Sequence, residues 1–328
     1  MARKVAAIMF GTRSLMPGTR PGLEREMTMT EAATSEMTRD FTVVAEGYAF
    51  IEAPRVAPDG TVWFADLLGG GVYRVPPGGA VETALPDRIW VGGMLLDESG
   101  KAVCGGRGGM VVVDPETRTA TPWLTEIEGQ PIIAVNDMEG DGRGGFFAGT
   151  LDFVSVFEKG LPPEPGMLFH ATAEGEVTVL RRDVFASNGI ATSACGRFLF
   201  HSETSRGVWR YPLLDSGMPD IAAGKLVLEV PDSDGLVVDA EGSFWLACYG
   251  EPRLLRCSPD GEILTSLTMP YDHIICPAFG PGDPHGLYVA TGGKNPDDRK
   301  GAVVRLEVEV PGLAGPMTRL VLQGSPMP

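Results

Sequence analysis

From Phe41 onward, short runs of aromatic and β-branched residues alternate with turns that end in glycine, the pattern of strands joined by tight connections. Six such turn and strand pairs recur: PDGTVWFAD (58–66), ESGKAVCGG (98–106), GRGGFFAGT (142–150), ACGRFLFHSE (194–203), AEGSFWLACY (240–249) and PHGLYVATG (284–292). Their marker glycines, Gly60, Gly100, Gly144, Gly196, Gly242 and Gly286, are spaced 40, 44, 52, 46 and 44 residues apart. That is the period of a four-stranded propeller blade. A later strand also recurs within each unit, as GVYRVP, GMVVVD, GMLFHA, GVWRYP, RLLRCS and AVVRLE. The pattern predicts an all-β fold, a six-bladed β-propeller of four-stranded antiparallel blades. The strand FTVVAEG (41–47) precedes the first complete unit; it is expected to complete the last blade and close the ring, which removes exposed sheet edges. An open pair of stacked sheets would not sustain one period over about 280 residues.

The strand before each marker glycine should run innermost, along the central channel. Eight residues back from each glycine stand Glu52, Gly92, Asn136, Asn188 and Asp234 in the first five units. In the sixth, the longer turn FGPGDPHG allows Cys276 at that position. Taken alone, Asn188-Gly189 and Asp234-Gly235 are ordinary turn signals. Turn chemistry does not predict four oxygen-bearing side chains in one phase, and Glu, Asn and Asp are depleted from strands. Equivalent positions in a ring-symmetric array converge on the axis at one depth, so these four form a candidate ligand set. Hard oxygen donors without Cys or His suit Ca2+, or Mg2+ or Mn2+, better than a structural zinc.

The 43 acidic against 27 basic residues give a formal charge of −16, which argues against nucleic acid and anionic membranes as partners. A small-molecule substrate is the expected partner, and the oligomeric state stays open. Five cysteines without a C-x-x-C pair suggest neither a disulfide framework nor a zinc knuckle. The apolar run VAAIMF is too short for a signal-peptide core, and no run approaches the roughly 18 apolar residues of a membrane span; the expected location is cytoplasmic. Residues 1–40, rich in Thr, Met and Glu, are expected to be a loosely attached extension, with 41–328 forming a single propeller domain.

The stretches IEAPRVAPDGTVWFAD, VNDMEGDGRGGFFAGT, SNGIATSACGRFLFHSET, DSDGLVVDAEGSFWLA and CPAFGPGDPHGLYVAT together resemble the SMP-30/gluconolactonase/LRE-like family, over 41–324. The resemblance implies a six-bladed propeller with one divalent metal in the channel, commonly Ca2+ or Zn2+, and lactone hydrolysis. It implies Glu52, Asn188 and Asp234 as metal ligands, Asn136 as a substrate- or water-binding residue, and Asp234 as general base as well. Two features depart from the family. Sugar-lactone-hydrolysing members carry an R-x-N-D-G motif where this chain reads Ala134-Val135-Asn136-Asp137-Met138, so the sugar-binding Arg is absent. Ala53 and Val56 stand where Gly and Trp are usual.

The expected activity is therefore metal-dependent opening of a lactone or ester, with a hydrophobic rather than a sugar substrate. The metal would polarise the carbonyl while Asp234 assists the attack of water and Asn136 orients it. No G-x-S-x-G elbow supports a serine route. Ile133, Phe153, Tyr249, His273 and Cys276 flank the in-phase positions and are candidate substrate-binding residues. Two other classes remain: the same metal site used for isomerase, cyclase or lyase chemistry, and a non-catalytic small-molecule-binding propeller.

Overall fold

The computed structural model describes residues 40–321. The predicted extension, apart from Asp40, lies outside them. Six antiparallel sheets succeed one another around a central channel. The first blade runs Ile51–Val56, Val62–Asp66, Val72–Val75 and Glu82–Leu85 from the axis outward. The second runs Met94–Leu96, Ala102–Cys104, Met110–Asp114 and Thr119–Leu124. The third begins with Ala134–Gly140 and Phe146–Thr150 and gains a two-residue fifth strand, Gly106–Arg107. The fourth and fifth open with the inner strands Ser187–Thr192 and Ser233–Val238. In the sixth, His273–Gly280, Asp283–Gly292 and Gly301–Glu307 are completed by Phe41–Tyr48, which pairs antiparallel with Gly301–Glu307. The ring is closed by the N-terminal strand, as the sequence predicts.

Apolar side chains of adjacent blades interlock between the sheets; Ala53, Trp63, Val72, Val91, Met94 and Val113, for example, form one buried cluster between the first two blades. The marker glycines recur because the same turn recurs. In the first blade Ala57 N–H donates to Thr61 O and Gly60 N–H to Ala57 O. Asp97 with Lys101 and Asp239 with Ser243 repeat the first of these bonds. Gly60, Gly100, Gly144, Gly196 and Gly242 all have φ between 65° and 104°, the left-handed region that favours glycine.

Blade six differs. Its turn is the short Gly280–Asp283 connection, and Gly286 lies within the second strand. The strand register therefore puts Ile275, not Cys276, in line with Glu52, Asn136, Asn188 and Asp234; Cys276 lines up with Gly189 and Gly235. The count of eight fails there because it was anchored on a glycine that is not in the turn.

Past Val308 the chain crosses the end of the channel where the inner strands finish. Leu313 N–H donates to Val238 O, Thr318 N–H to Leu96 O, and Arg319 N–H to Gly144 O, so this strap ties blades five, two and three together. Among the described residues no helix is long and apolar enough to cross a membrane.

Candidate functional site

Five of the six inner strands bulge near their start, Met94–Leu96 of blade two being the exception. In blade four, Ser187 pairs with Glu203 and Ile190 with His201, so Asn188 and Gly189 together face Ser202. In blade five, Asp234 and Gly235 face Ala247 in the same way, and in blade three Asn136 and Asp137 face Gly149. A bulge re-aims a side chain out of the pleat, here toward the axis. The second strand makes room by carrying a small residue opposite: Ala65, Gly149, Ser202, Ala247 and Ala290. Asn188-Gly189 is thus not a hairpin turn. Gly189 is needed because a Cβ there would run into Gly235 and Leu236 of the next blade, and Gly235 in turn packs against Cys276. In blade one, Ala53 takes the left-handed conformation directly, with φ 53°, a strained choice for a residue with a Cβ.

Glu52, Asn136, Asn188 and Asp234 are each less than a tenth exposed and line one cavity of about 290 Å³ at the end of the channel where the inner strands begin. Asn136 Nδ2 donates to Asn188 Oδ1 at 3.0 Å and to Ser187 O at 2.7 Å. Gly92 leaves the space that the Asn136 side chain fills, since a Cβ on it would overlap Asn136 Oδ1.

Burial holds the Glu52 carboxyl well above the usual carboxylate range, and the charges of Asp234 and Asp137 raise it further. Burial does the same to Asp234, with Asp137 and Asp232 adding to it. The nearest cation, Arg55, is committed elsewhere, donating to Pro54 O and Met138 O at 2.8 Å and pairing with Asp137 at 3.4 Å. Two buried acids facing one another are costly unless a cation or protons neutralise them.

Among the described residues no three His, Cys, Asp or Glu side chains converge as a metal cluster; the set here is two carboxylates and two amides. Asn136 Oδ1 is buried without a hydrogen-bond partner. An all-oxygen donor set with two charges and an orphaned amide oxygen fits a hard divalent cation.

Of the proposed substrate contacts, Asn136, Phe153 and Tyr249 line the cavity, and Ile133, His273 and Cys276 do not. Ile133 is 45% exposed on the outside of the mouth. His273 stacks on Tyr249 with ring centroids 4.3 Å apart and donates from Nδ1 to Tyr249 O at 2.7 Å; it supports the wall from behind. Cys276 is buried below Gly235.

The residues missed by sequence reasoning are Phe50, Leu67, Leu68, Phe157, Thr204 and the rim 293–297. Leu67, Leu151, Thr204, Tyr249 and Gly293 each follow directly on a second strand. That strand runs antiparallel to the inner one, so its end returns to the mouth where the donors stand, a signal the repeat already contained.

Ser187 Oγ and His201 Nε2 are 2.9 Å apart, which has the outline of a nucleophile and its base. Both residues are 0% exposed and His201 Nδ1 has no partner. Burial also pushes the imidazole down to about 3. A sealed Ser with a base that no third group orients is structural.

A closed six-bladed propeller with a buried oxygen-donor site at one mouth of its channel is the architecture of the propeller lactonases. The chain belongs to the SMP-30/Gluconolactonase/LRE-like family, whose profile matches residues 45–293. It is 30% identical over 271 residues to a 6-deoxy-6-sulfogluconolactonase of Pseudomonas putida, covering 78% of this chain and 90% of the relative. It is 26% identical over 280 residues to a pentonolactonase of Haloferax volcanii, covering 80% and 91%. Among solved structures it is similar to regucalcin, a calcium-binding protein of Agrobacterium tumefaciens, with TM-score 0.74 and 25% identity over 86% of this chain and 98% of that one.

Proposed function

We propose that this protein hydrolyses lactones that carry an apolar substituent, with Glu52, Asn188 and Asp234 holding a divalent cation, Ca2+ in the first instance. The observation that carries the reading is one cavity with two unlike walls. Two buried, mutually repelling carboxylates and two amides form its floor, while Phe50, Leu67, Leu68, Leu151, Phe153 and Phe157 form its side. Sugar hydroxyls would find few partners on that side. Ala134, at the position of the family's sugar-binding Arg, is fully buried and apolar. The sugar-lactonase names of the relatives support lactone opening as the reaction; the apolar wall supports a different substituent on the ring.

When bound, the cation supplies Lewis-acid polarisation of the lactone carbonyl. The rest falls to the chain. Asp234, made more basic by burial and by Asp137 and Asp232, takes the proton of the attacking water and returns it to the ring oxygen that leaves. Asn136, its Nδ2 already directed to Ser187 O and Asn188 Oδ1, keeps its unsatisfied Oδ1 as an acceptor beside the donor set. The apolar side lowers the polarity around the donors, which strengthens each charge interaction there.

The test is metal analysis of the purified protein together with acid release from a panel of aliphatic, aromatic and sugar lactones, with and without chelator. Bound Ca2+ and chelator-sensitive turnover, fastest on apolar lactones, is the expected result. Turnover fastest on sugar lactones would overturn the substrate reading. Bound cation with no turnover of any lactone would overturn hydrolysis itself.

A further inference from the structure

Asn188 can serve as a cation ligand only if its amide presents oxygen, not nitrogen, to the axis. Two backbone carbonyls on opposite sides of it decide which. On one side Thr204 Oγ1 lies 2.7 Å from Ser233 O and 2.7 Å from Asn188 Nδ2. A carbonyl oxygen can only accept, so the single hydroxyl proton of Thr204 goes to Ser233 O. Toward Asn188 the hydroxyl can then only accept, and the group that faces it must be the NH2. On the other side Asn136 sits 2.7 Å from Ser187 O, again an acceptor only, so Asn136 turns its own NH2 that way; the same nitrogen reaches the remaining Asn188 atom at 3.0 Å. That atom must therefore be Oδ1. The two chains of donors and acceptors start from different strands and reach the same orientation.

We infer that Thr204 is a positioning residue for the cation site: its hydroxyl, polarised by Ser233 O, locks the Asn188 amide with Oδ1 toward the cavity. The inference rests on the metal-site reading above. Thr204 is 2% exposed and is the first residue after the second strand of its blade, Phe198–Glu203. Its own amide is fixed by a bond to Ala186 O at 3.0 Å, so the hydroxyl has little freedom to move away. Without the hydroxyl the amide keeps only the 3.0 Å bond from Asn136 to distinguish its two ends, and a rotation of the group would put an NH2, a donor with no lone pair to offer, against a cation. Outer partners that orient a ligand in this way are commonly worth 10- to 100-fold in metal affinity.

The experiment is calorimetric titration of the full-length protein with Ca2+. Thr204→Val keeps the shape and removes the hydroxyl; Ca2+ affinity is expected to fall roughly 10- to 100-fold. Thr204→Ser keeps the hydroxyl and should stay within about threefold of the wild type, well short of that loss. Should Thr204→Val not fold, Thr204→Ala against Thr204→Ser gives the same contrast. In an Asn188→Asp background both carboxylate oxygens are equivalent, so Thr204→Val should lose most of its effect on affinity. Wild-type affinity in Thr204→Val, or the same loss in the Asn188→Asp background, overturns the positioning role and leaves the site standing. No Ca2+ bound by the wild type overturns the site, and the inference with it.

Discussion

The two ends of the central channel are built by the same inner strands and solve the same problem in opposite ways. Where the strands begin, Glu52 and Asp234 face one another in a cavity that opens to solvent between second-strand ends. Where they finish, Glu139 sits beside Arg55 and within reach of the Asp137 charge, in a smaller space of about 180 Å³ lined by 313–316 of the C-terminal strap. Burial raises the carboxyl at both ends. At the covered end Arg55 and the Thr192 amide only partly offset it, and Glu139 is pushed up to about 8. One buried acid can be neutralised by a proton. A pair flanked by an unpartnered amide oxygen, Asn136 Oδ1, suits a cation, because a doubly charged ion satisfies both acids at once. Burial of a carboxylate therefore marks a site only where a second carboxylate without a cation of its own and a free donor atom accompany it; Asp137, the acid whose charge reaches Glu139, is already paired with Arg55.

Removing a charge at the open end should have the largest effect. Asp234→Asn is expected to lower lactone turnover about 10³-fold, the range for losing a general base, and to release most of the bound Ca2+; metal content and initial rates measure both. Full activity in a metal-free Asp234→Asn protein would erase the distinction between the two ends.

At the covered end the effect should appear in stability and depend on pH. The folded value of Glu139, about 8, lies above its ordinary 4.5, so the folded protein binds this proton more tightly than the unfolded chain does. That stability is fully present below pH 4.5 and is lost as pH rises through about 8. Glu139→Gln cannot lose the proton, so it should gain on the wild type by on the order of a few kcal/mol at alkaline pH and match it in acid. Thermal unfolding at pH 5 and pH 9 decides; an equal difference at both would mean that Glu139 is ionised in the fold.

The smallest change expected is at the rim. Leu68→Ser removes part of the apolar wall and should raise KM for an apolar lactone about fivefold, the worth of roughly 1 kcal/mol of buried surface, with kcat and the KM for sugar lactones unchanged. A KM that does not respond would take the apolar side of the cavity out of substrate recognition.

Much of the fold was legible because a propeller repeats its local chemistry. The left-handed turn glycines at Gly60, Gly100, Gly144, Gly196 and Gly242 and the second strands behind them recur in sequence, and they mark the blades without any knowledge of tertiary contact. The donors Glu52, Asn136, Asn188 and Asp234 were legible for the same reason: a fixed bulge and a fixed turn keep them eight residues from their glycines. The rule broke in blade six, where the turn shortened and a one-residue slip exchanged Ile275 for Cys276. Side chains beside the phase, such as Ile133 and His273, could not be sorted into wall and exterior, because strand alternation does not say which way a residue before the bulge points.

The sequence by itself determined the number of blades, the strand that closes them and the four oxygen donors at one depth, since all of these follow from periodicity along the chain. Only the tertiary structure decided that Thr204 and Ser233 O orient Asn188, that Arg55 turns away from Glu52 toward Asp137, and that the C-terminal strap covers one end of the channel. Apart from Thr204 with Asn188, which share blade four, those contacts join one blade to another or to the strap, and no local pattern records which blades will meet across an axis.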